Sequence, residues 1–413
     1  MQSANSRNTA LFIAILAGFL TPFDLSAVNI ALPTLAEEFS MDAIQMGWVS
    51  TAYLLASAVF LVPFGRIADI YGRKKVFATG LSIFTLASFL MIFAPSALIV
   101  ILLRVLQGFG SAMIFGTAVA ILTSTTPPEH RGKALGIYTT AVYLGLSMGP
   151  FLGGILTGIF GWRSIFFVNV PIGLFAVAMI LLFLKGEWAD CRGERFDLGG
   201  SIQYGLTLIC VMYGFSLLPD REGFILVIAG AVMLAVFIAR ELRISYPLWN
   251  IRLFSKNRVF LFSNMAALIN YCATFAVTFF LSLYLQYVNG FSPEHAGMIL
   301  VVQPVVMALV SPAAGRLSDR IEPGKIASLG MALTALSLIL LTFTGSNTSL
   351  LTFIVILVIL GIGLGIFSSP NTNAIMGSVE RCYYGVASGT LGTMRLAGQM
   401  LSMGIAMMVL AIF

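Results

Sequence analysis

The chain has 413 residues, of which 59% are hydrophobic and 10% are charged. A soluble globular protein carries about 25% charged residues, because its surface must be hydrated. The composition therefore excludes water as the main solvent of the folded chain and predicts a protein embedded in a lipid bilayer.

Apolar segments of membrane-spanning length follow one another along the whole sequence, separated by short polar connections. A helix needs about 20 apolar residues to cross a hydrocarbon core about 30 Å thick. We predict thirteen spanning helices and hence an all-α polytopic membrane protein. The predicted spans are 11–33, 46–65, 76–94, 97–123, 134–160, 164–184, 198–218, 223–243, 259–288, 295–315, 325–344, 348–370 and 384–412.

The basic residues are distributed unevenly between the two sides of these spans. If the N-terminus is cytoplasmic, 19 of the 23 Lys and Arg residues lie on the cytoplasmic side. Arg163 and Arg221 then lie outside, and Arg104 and Arg395 lie within spans. Cytoplasmic loops of membrane proteins carry such an excess of basic residues. The net charge of +6 therefore indicates topology rather than nucleic-acid binding. We expect a multi-pass protein of the cytoplasmic (inner) cell membrane with its N-terminus inside.

An internal repeat with an offset of 250 residues relates the two ends of the chain. It pairs Gly47 with Gly297, Gly65 with Gly315, Arg66 with Arg316, Asp69 with Asp319, Lys75 with Lys325, and Gly80 with Gly330. Many secondary transporters build a central binding site from repeated helix bundles. We predict a six-helix bundle over residues 1–184, a linker with two extra spans over 185–258, and a second bundle over 259–413.

Other chemistries find little support in the sequence. The four cysteines, Cys191, Cys210, Cys272 and Cys382, have no CxxC spacing and no clustered histidines. We therefore expect neither a disulfide framework nor a metal site. The phosphate-loop pattern GxxxxGKS/T is absent, which argues against direct use of ATP. Paired carboxylates and nucleophile–base groupings that would indicate an enzyme are also absent.

A glycine-rich basic segment connects the second and third predicted spans. It reads Gly65-Arg66-Ile67-Ala68-Asp69-Ile70-Tyr71-Gly72-Arg73-Lys74-Lys75. Glycine permits a tight connection and a close helix approach, and a carboxylate such as Asp69 can accept hydrogen bonds at a helix N-terminus. The alternative is a charged loop that only follows the distribution of basic residues. The segment closely resembles the signature loop of the major facilitator superfamily.

A weaker copy of this loop contains Gly315, Arg316 and Asp319, at the place where that superfamily repeats it. The copy has Glu322-Pro323-Gly324 where the first loop has Gly72-Arg73-Lys74. The resemblance implies that the two loops form a duplicated gate on the cytoplasmic side of the membrane.

Two further spans carry motifs that resemble those of the same superfamily. The fourth contains Arg104-Val105-Leu106-Gln107-Gly108-Phe109-Gly110-Ser111-Ala112, similar to the RxxQGxGxA element. The fifth contains a stripe similar to the element that marks antiporters, formed by Gly145, Gly149, Pro150, Gly153 and Gly154. The resemblance implies that this stripe acts as a hinge and a seal. Close helix packing through small residues produces the same pattern.

Other segments resemble one branch of the superfamily, the fourteen-helix drug:proton antiporters. Asp24-Leu25-Ser26-Ala27-Val28-Asn29-Ile30-Ala31-Leu32-Pro33 is similar to the helix-one element of that branch, and residues 161–171 open helix six in a similar manner. The two extra spans between the bundles match its arrangement. That branch would add a fourteenth span after Phe413, so we expect a C-terminal bundle of five helices that lacks the sixth.

Asp24 is the only one of the 17 acidic residues that the prediction places deep within a span. It lies ~20 Å along the first span, and Arg104 lies ~10 Å from the outer end of the fourth, so their depths coincide. A charge near the bilayer centre costs at least ~3 kcal/mol, which makes it a functional candidate. We predict that Asp24 carries the coupling proton and that Arg104 favours its charged form. A structural bond between Asp24 and Asn29 is the alternative.

Polar side chains on otherwise apolar spans are candidates for a substrate cavity, although interhelical hydrogen bonding explains each of them as well. They are Asn29, Tyr53, Gln107, Asn270, Tyr271, Gln303, Asn371, Asn373 and Arg395. Thr274 corresponds to Asp24 in the second half, which therefore has no matching carboxylate. Members of the resembled branch that handle divalent cations usually carry an extra acid there, so the resemblance implies lipophilic neutral or monovalent cationic substrates.

Together these patterns predict a proton-coupled secondary active transporter that exports lipophilic drugs or other hydrophobic compounds by alternating access. We expect no enzyme activity, no cofactor beyond the proton gradient and no nucleic-acid partner. The expected state is a monomer in contact with lipid, protons and a small hydrophobic or cationic substrate. Two alternatives remain open: a transporter of a specific metabolite on the same fold, and a non-transporting membrane sensor or scaffold.

Overall fold

The computed structural model describes residues 4–218, 220–291, 293–345 and 348–412. The regular structure of these residues is helical and includes no strand, as the composition predicts. In chain order the helices are α1 (Ala4–Phe39), α2 (Ala43–Tyr71), α3 (Arg73–Met91), α4 (Ala97–Thr125), α5 (Pro128–Phe160), α6 (Arg163–Phe183), α7 (Leu198–Ser216), α8 (Arg221–Glu241), α9 (Arg252–Lys256), α10 (Arg258–Leu283), α11 (Pro293–Leu300), α12 (Val302–Leu317), α13 (Pro323–Thr342), α14 (Leu350–Gly377) and α15 (Tyr384–Ile412).

Twelve helical stretches in the described part of the chain are long and apolar enough to cross a membrane. One of them, His295–Leu317, joins α11 and α12, and another, Arg258–Val288, joins α10 to a π-helical turn. The thirteenth predicted span, 384–412, corresponds to α15, a 29-residue helix that packs against α2, α4 and α10. Each predicted span therefore overlaps a helix, although several run one to three residues past a helix end, and the thirteenth is not among the twelve candidate membrane spans.

Local sequence signals explain several helix ends. Asp42 precedes α2, and its carboxylate accepts a hydrogen bond from the Gln45 N–H at 2.7 Å. Ser96 and Ser349 cap α4 and α14 in the same way. These side chains satisfy N–H groups that the first helical turn leaves without a partner. Gly72, with a φ of +123°, makes the sharp connection between α2 and α3 that a side chain would strain.

The long helices form two bundles, α1–α6 and α10–α15. They meet where α5 packs against α12 and α14, and where α15 packs against α2 and α4. Helices α7 and α8 form a hairpin, and α7 also packs against α2 and α15. Large apolar side chains remain on the outer surface, among them Phe151 at 66% and Leu182 at 71% exposure. Such a surface is suited to lipid contact.

One end of the two bundles collects most of the Lys and Arg residues, and we call it the basic end. It contains the connections from α2 to α3, α4 to α5, α6 to α7, α12 to α13 and α14 to α15. The connection from α6 to α7 lies against the turn between α2 and α3: the Arg73 N–H donates to the Trp188 carbonyl at 2.9 Å, and the Cys191 N–H donates to the Asp69 carbonyl at 3.0 Å.

The small-residue stripe of α5 packs against α1. A Cβ added to Gly145, Gly149 or Gly153 would lie 2.4–2.7 Å from an atom of α1, so only glycine allows the observed approach. Gly154 has open space, with its nearest neighbour 3.9 Å away, and Pro150 lies inside the helix. Close packing therefore accounts for three of these residues, and their action as a hinge stays a prediction.

The expectation that the cysteines form no disulfide is wrong. Cys191, in the connection between α6 and α7, is bonded to Cys382, which lies just before α15. Their Cα atoms are 5.0 Å apart although 191 residues separate them along the chain. Local spacing cannot reveal such a pair, because only the folding of the two bundles brings the cysteines together. Cys210 and Cys272 are free.

Candidate functional site

A cluster of polar side chains surrounds Asp24, which is completely buried on α1. Arg104 of α4 donates from Nη1 to Asp24 Oδ2 at 2.6 Å, and Asn169 of α6 donates from Nδ2 to Asp24 Oδ1 at 2.6 Å. Gln107 of α4 donates to the same Oδ1 atom at 3.4 Å. Three helices of the first bundle thus converge on one carboxylate.

The remaining contacts of Arg104 hold it in place. Its Nε donates to the Val49 carbonyl at 3.0 Å, and its Nη1 also donates to Gln107 Oε1 at 2.9 Å. Its Cζ lies 4.3 Å from the centroid of the Tyr53 ring. The arginine balances the charge of Asp24 and so offsets the free-energy cost of burying the carboxylate in a medium of low dielectric constant.

The alternative bond between Asp24 and Asn29 is not formed. Asn29 Oδ1 instead accepts a hydrogen bond from Ser50 Oγ at 2.5 Å. Asn169 takes part in the Asp24 cluster although our list of candidate residues does not include it. It lies in the 161–171 motif, which is a sequence signal for it. The depth of Asn169 within the membrane would have to be known to relate it to Asp24.

A cavity lies between the two bundles, beside the Asp24 cluster. It encloses about 1050 Å³ when the space open to solvent is counted. Its walls come from both bundles and are mainly apolar, with four tyrosines and a single charged side chain. Its lining includes Tyr53, Ser111, Tyr138, Tyr143, Tyr271 and Arg395.

Three of the nine candidate cavity residues, Tyr53, Tyr271 and Arg395, line this cavity. The other six lie outside its lining, and five of these donate or accept hydrogen bonds elsewhere. Asn29 binds Ser50, Gln107 binds Asp24 and Ser88, Gln303 contacts Met307, Asn371 binds the Ser263 carbonyl and Asn373 binds Ser318. Asn270 is buried in α10, and its Oδ1 has no hydrogen-bond partner in the described part of the structure.

Of the six lining residues named above, the candidates from the sequence do not include Ser111, Tyr138 and Tyr143. Tyr53 donates from its hydroxyl to Ser111 Oγ at 2.8 Å, so Ser111 joins the cavity wall through a hydrogen bond. Tyr138 also lines the cavity, and it is only 5% exposed. Aromatic residues in spans are mostly lipid-facing or interfacial, so the sequence provides no signal that separates Tyr138 from the others.

The first signature loop joins the two bundles at the basic end. Asp69 of α2 accepts hydrogen bonds from the N–H groups of Gly385 at 2.8 Å and Val386 at 2.9 Å, in the first turn of α15. Arg73 donates to Asp69 Oδ1 from Nε at 2.9 Å and from Nη2 at 2.6 Å. A carboxylate at a helix N-terminus is stabilised by the free N–H groups and the helix dipole. Arg66 forms an ion pair with Glu194 of the α6–α7 connection.

The second loop makes the corresponding contact between the bundles, with the carboxylate on the second bundle and the N–H groups on the first. Asp319, just after α12, accepts hydrogen bonds from the N–H groups of Gly132 at 2.6 Å and Lys133 at 2.9 Å, near the start of α5. Gly315 packs against Gly132, as Gly65 packs against Gly385. The two carboxylates thus link the two bundles at the basic end. Arg316 is exposed.

The ends of α2 and α11 away from the basic end are not held together in this way. Gly47 and Gly297, another glycine pair of the repeat, have no atom within 4 Å of an added Cβ. The same 250-residue repeat therefore places tightly packed glycines at the basic end and unpacked ones at the opposite end.

Comparison with known proteins agrees with this architecture. The sequence model of the family described as Major Facilitator Superfamily matches residues 14–403. The Riboflavin transporter RibZ of Clostridioides difficile (strain 630) is 32% identical over 388 residues, which are 93% of this chain and 84% of the relative. The Multidrug resistance protein Stp of Mycobacterium tuberculosis (strain CDC 1551 / Oshkosh) is 30% identical over 403 residues, 95% of this chain and 74% of the relative.

Solved structures share the fold at low sequence identity. The human organic anion transporter MFSD10 (TETRAN) has a TM-score of 0.73 at 15% identity, and the alignment covers 99% of this chain and 94% of that one. The proton:xylose symporter XylE has a TM-score of 0.72 at 13% identity, with 98% and 90% covered. With its two bundles, its duplicated loop and a sequence match over residues 14–403, the chain belongs to the Major Facilitator Superfamily.

Proposed function

We propose that this protein is a proton-coupled antiporter that exports lipophilic compounds across the cytoplasmic membrane by alternating access. The observation that carries the proposal is the buried Asp24, which accepts hydrogen bonds from side chains of α4 and α6 beside a cavity between the bundles. A carboxylate in this position can exchange a proton only when the cavity admits water. Its protonation state is therefore linked to the side on which the cavity is open.

The basic end faces the cytoplasm in this proposal, because basic residues of membrane proteins accumulate on that side. The hydrogen bonds of Asp69 and Asp319 then hold the cytoplasmic side closed, and the described conformation faces outward. Opening toward the cytoplasm requires both carboxylates to leave the helix N-termini of the opposite bundle. The glycine stripe of α5 is the proposed hinge for this movement.

In the proposed cycle, Asp24 takes up a proton from outside while cargo leaves the cavity. Protonation removes the negative charge that holds Arg104, which weakens the link between α1 and α4 and favours rearrangement of the first bundle. On the cytoplasmic side the proton is released, the ion pair with Arg104 forms again, and new cargo enters. Each proton thus moves inward as a compound moves outward.

Several relatives support an export role and the drug:proton antiporter branch. Besides the multidrug resistance protein, the Lincomycin resistance protein of Streptomyces lincolnensis is 30% identical over 400 residues, 94% of this chain and 82% of the relative. The proposed organisation is a monomer with bundles at 1–184 and 259–413, joined by the linker at 185–258.

The proposal is tested by proton flux in liposomes that contain the purified chain. Efflux of a lipophilic dye driven by a pH gradient should be accompanied by proton uptake in the wild type. Asp24→Asn, which keeps the shape of the side chain but cannot ionise, should reduce both fluxes to the level of protein-free liposomes. Glu222→Gln, at an exposed site on α8, is the matched control and should transport normally. Coupled flux through Asp24→Asn would disprove the assignment.

A second function on the same fold is the transport of one specific metabolite. The observation that favours it is the 32% identity to a protein described as a riboflavin transporter, which covers 84% of that relative. The same liposomes distinguish the two, since a specific transporter moves one compound and leaves a chemically diverse panel untouched.

A further inference from the structure

The central cavity contains one charged side chain, Arg395 of α15, and its described lining includes no acidic residue. The Cζ atom of Arg395 lies 5.1 Å from the centroid of the Tyr271 ring, and Tyr138 and Tyr143 line the same cavity. No described carboxylate lies within the 4.0 Å of an ion pair with it. Its positive charge therefore remains uncompensated by an anion of the protein.

Two hydrogen-bond donors at this cavity also lack acceptors. The Tyr138 hydroxyl is buried, the whole residue being 5% exposed, and neither this hydroxyl nor Arg395 Nε finds a partner in the described part of the structure. Buried donors are normally satisfied, and each exception requires an explanation. Both residues line the cavity, so an acceptor supplied by bound cargo is a direct explanation.

The carboxylate of Asp24 does not change the charge balance of the cavity. Asp24 is paired with Arg104, and neither of them belongs to the cavity lining. Tyr53 lies against Arg104 on one side and lines the cavity on the other. A cation in the cavity would meet the unpaired Arg395 without an accessible counter-charge, and like charges repel strongly where the dielectric constant is low.

We propose that the cavity selects compounds that combine an aromatic or apolar body with an anionic, oxygen-bearing group such as a carboxylate or phenolate. The anionic oxygens accept hydrogen bonds from Arg395 and Tyr138, and the body packs against the apolar wall that includes Leu54, Phe115 and Val142. The arginine excludes lipophilic cations by repulsion, as selective sites commonly do. The assignment of these compounds as cargo rests on the proposed export function. It departs from the cationic preference that the sequence suggests.

Two dyes with the same ring system and opposite charge test this selectivity. Fluorescein is anionic and rhodamine 123 is cationic, and both are xanthenes. Binding is measured by fluorescence polarisation on the full chain in lipid nanodiscs, with empty nanodiscs as the baseline. We expect fluorescein to bind at least about tenfold more tightly than rhodamine 123, because charge-assisted hydrogen bonds contribute selectively to the anion.

Variants separate the roles of the two donors. Arg395→Gln should weaken fluorescein binding by about 10- to 100-fold and should not weaken rhodamine 123 binding. Tyr138→Phe keeps the ring, removes the unpaired hydroxyl and should weaken fluorescein binding by a smaller factor. Arg221→Gln removes an exposed positive charge from α8 and serves as the matched control, with unchanged binding of both dyes. Size-exclusion profiles and thermal unfolding midpoints establish that each variant is folded.

The proposal is overturned if fluorescein binds no more tightly than rhodamine 123, undetectable binding of both dyes included. It is also overturned if Arg395→Gln and Tyr138→Phe, the second of which preserves the shape of the site, both leave fluorescein binding unchanged. Binding requires no pH gradient, so this result is independent of proton coupling. Failure of the export function would instead appear as absent proton-driven flux while the preference for the anionic dye persists.

Discussion

Asp24 and Arg104 each bury a full charge, and each is tolerated only because the other is present. The two side chains are fully buried and 2.6 Å apart. Removal of one partner from a buried pair leaves an isolated charge, whereas removal of both replaces the pair with neutral groups. The stability of the first bundle should therefore depend on the pair rather than on either residue alone.

This dependence predicts a non-additive result for a double variant. Arg104→Gln alone should lower the free energy of unfolding by about 3–5 kcal/mol, because it leaves Asp24 buried without its counter-charge. Asp24→Asn combined with Arg104→Gln should recover most of that loss. Thermal unfolding in detergent measures both variants beside the wild type. Equal losses from Arg104→Gln with and without the second substitution would contradict the paired arrangement.

The sequence shows the residues of this cluster better than it shows their contacts. Asp24 and Arg104 are visible because charged residues deep in apolar spans are rare and costly. Gln107 and Asn169 are polar residues of a kind that serves equally well in interhelical bonds or in a cavity. Their assignment depends on the rotation of each helix about its axis, which apolar segments of uniform hydrophobicity do not determine.

At the scale of helices, the repeat has a direct structural meaning. Gly65 and Gly315 each pack against a backbone carbonyl oxygen of the opposite bundle, whereas Gly47 and Gly297 face open space. The identities at an offset of 250 residues therefore predict equivalent positions correctly. They cannot distinguish a glycine that permits close packing from one that does not, because that difference arises only when two bundles meet.

Four alanine variants exploit this difference. A Cβ at Gly65 would lie 2.3 Å from the Gly385 carbonyl oxygen, and one at Gly315 would lie 2.2 Å from that of Gly132. Gly65→Ala and Gly315→Ala should therefore force the bundles apart at the basic end and lower proton-driven transport by at least about tenfold, since overpacking costs ~1–3 kcal/mol.

Gly47→Ala and Gly297→Ala are the matched controls, because nothing lies within 4 Å of the added methyl group. Both should keep wild-type transport and be slightly more stable, since alanine is favoured over glycine in helices by up to about 1 kcal/mol. Transport in liposomes and thermal unfolding midpoints are measured for all four. A similar loss in the controls would show that glycine flexibility, rather than packing between bundles, determines the effect.

Over the whole molecule, the connection from α6 to α7 acts as part of the first bundle. Arg73 Nη1 binds Asp190 at 2.7 Å, the Lys74 N–H binds Glu187 at 2.8 Å, and Cys191 binds the Asp69 carbonyl. The Cys191–Cys382 disulfide ties this unit to the start of α15 in the second bundle. It crosses the junction that must separate for the basic end to open. Composition and repeats predict the two bundles, but no local pattern predicts this covalent link between them.

The disulfide should accordingly lock the protein with its basic end closed. Oxidation of Cys191 and Cys382 removes two protons and two electrons and should slow proton-driven transport by at least about tenfold, because the disulfide keeps the two Cα atoms, here 5.0 Å apart, within about 7 Å of each other. Reduction with dithiothreitol should restore the rate.

Cys191→Ser cannot form the disulfide, so it should transport as fast as the dithiothreitol-treated wild type under both conditions. Cys210→Ser, which changes a free cysteine on α7, should keep the response to oxidation. Flux in liposomes treated with copper phenanthroline and then with dithiothreitol measures each case. Equal flux of the oxidised and reduced wild type would show that the bundles separate elsewhere.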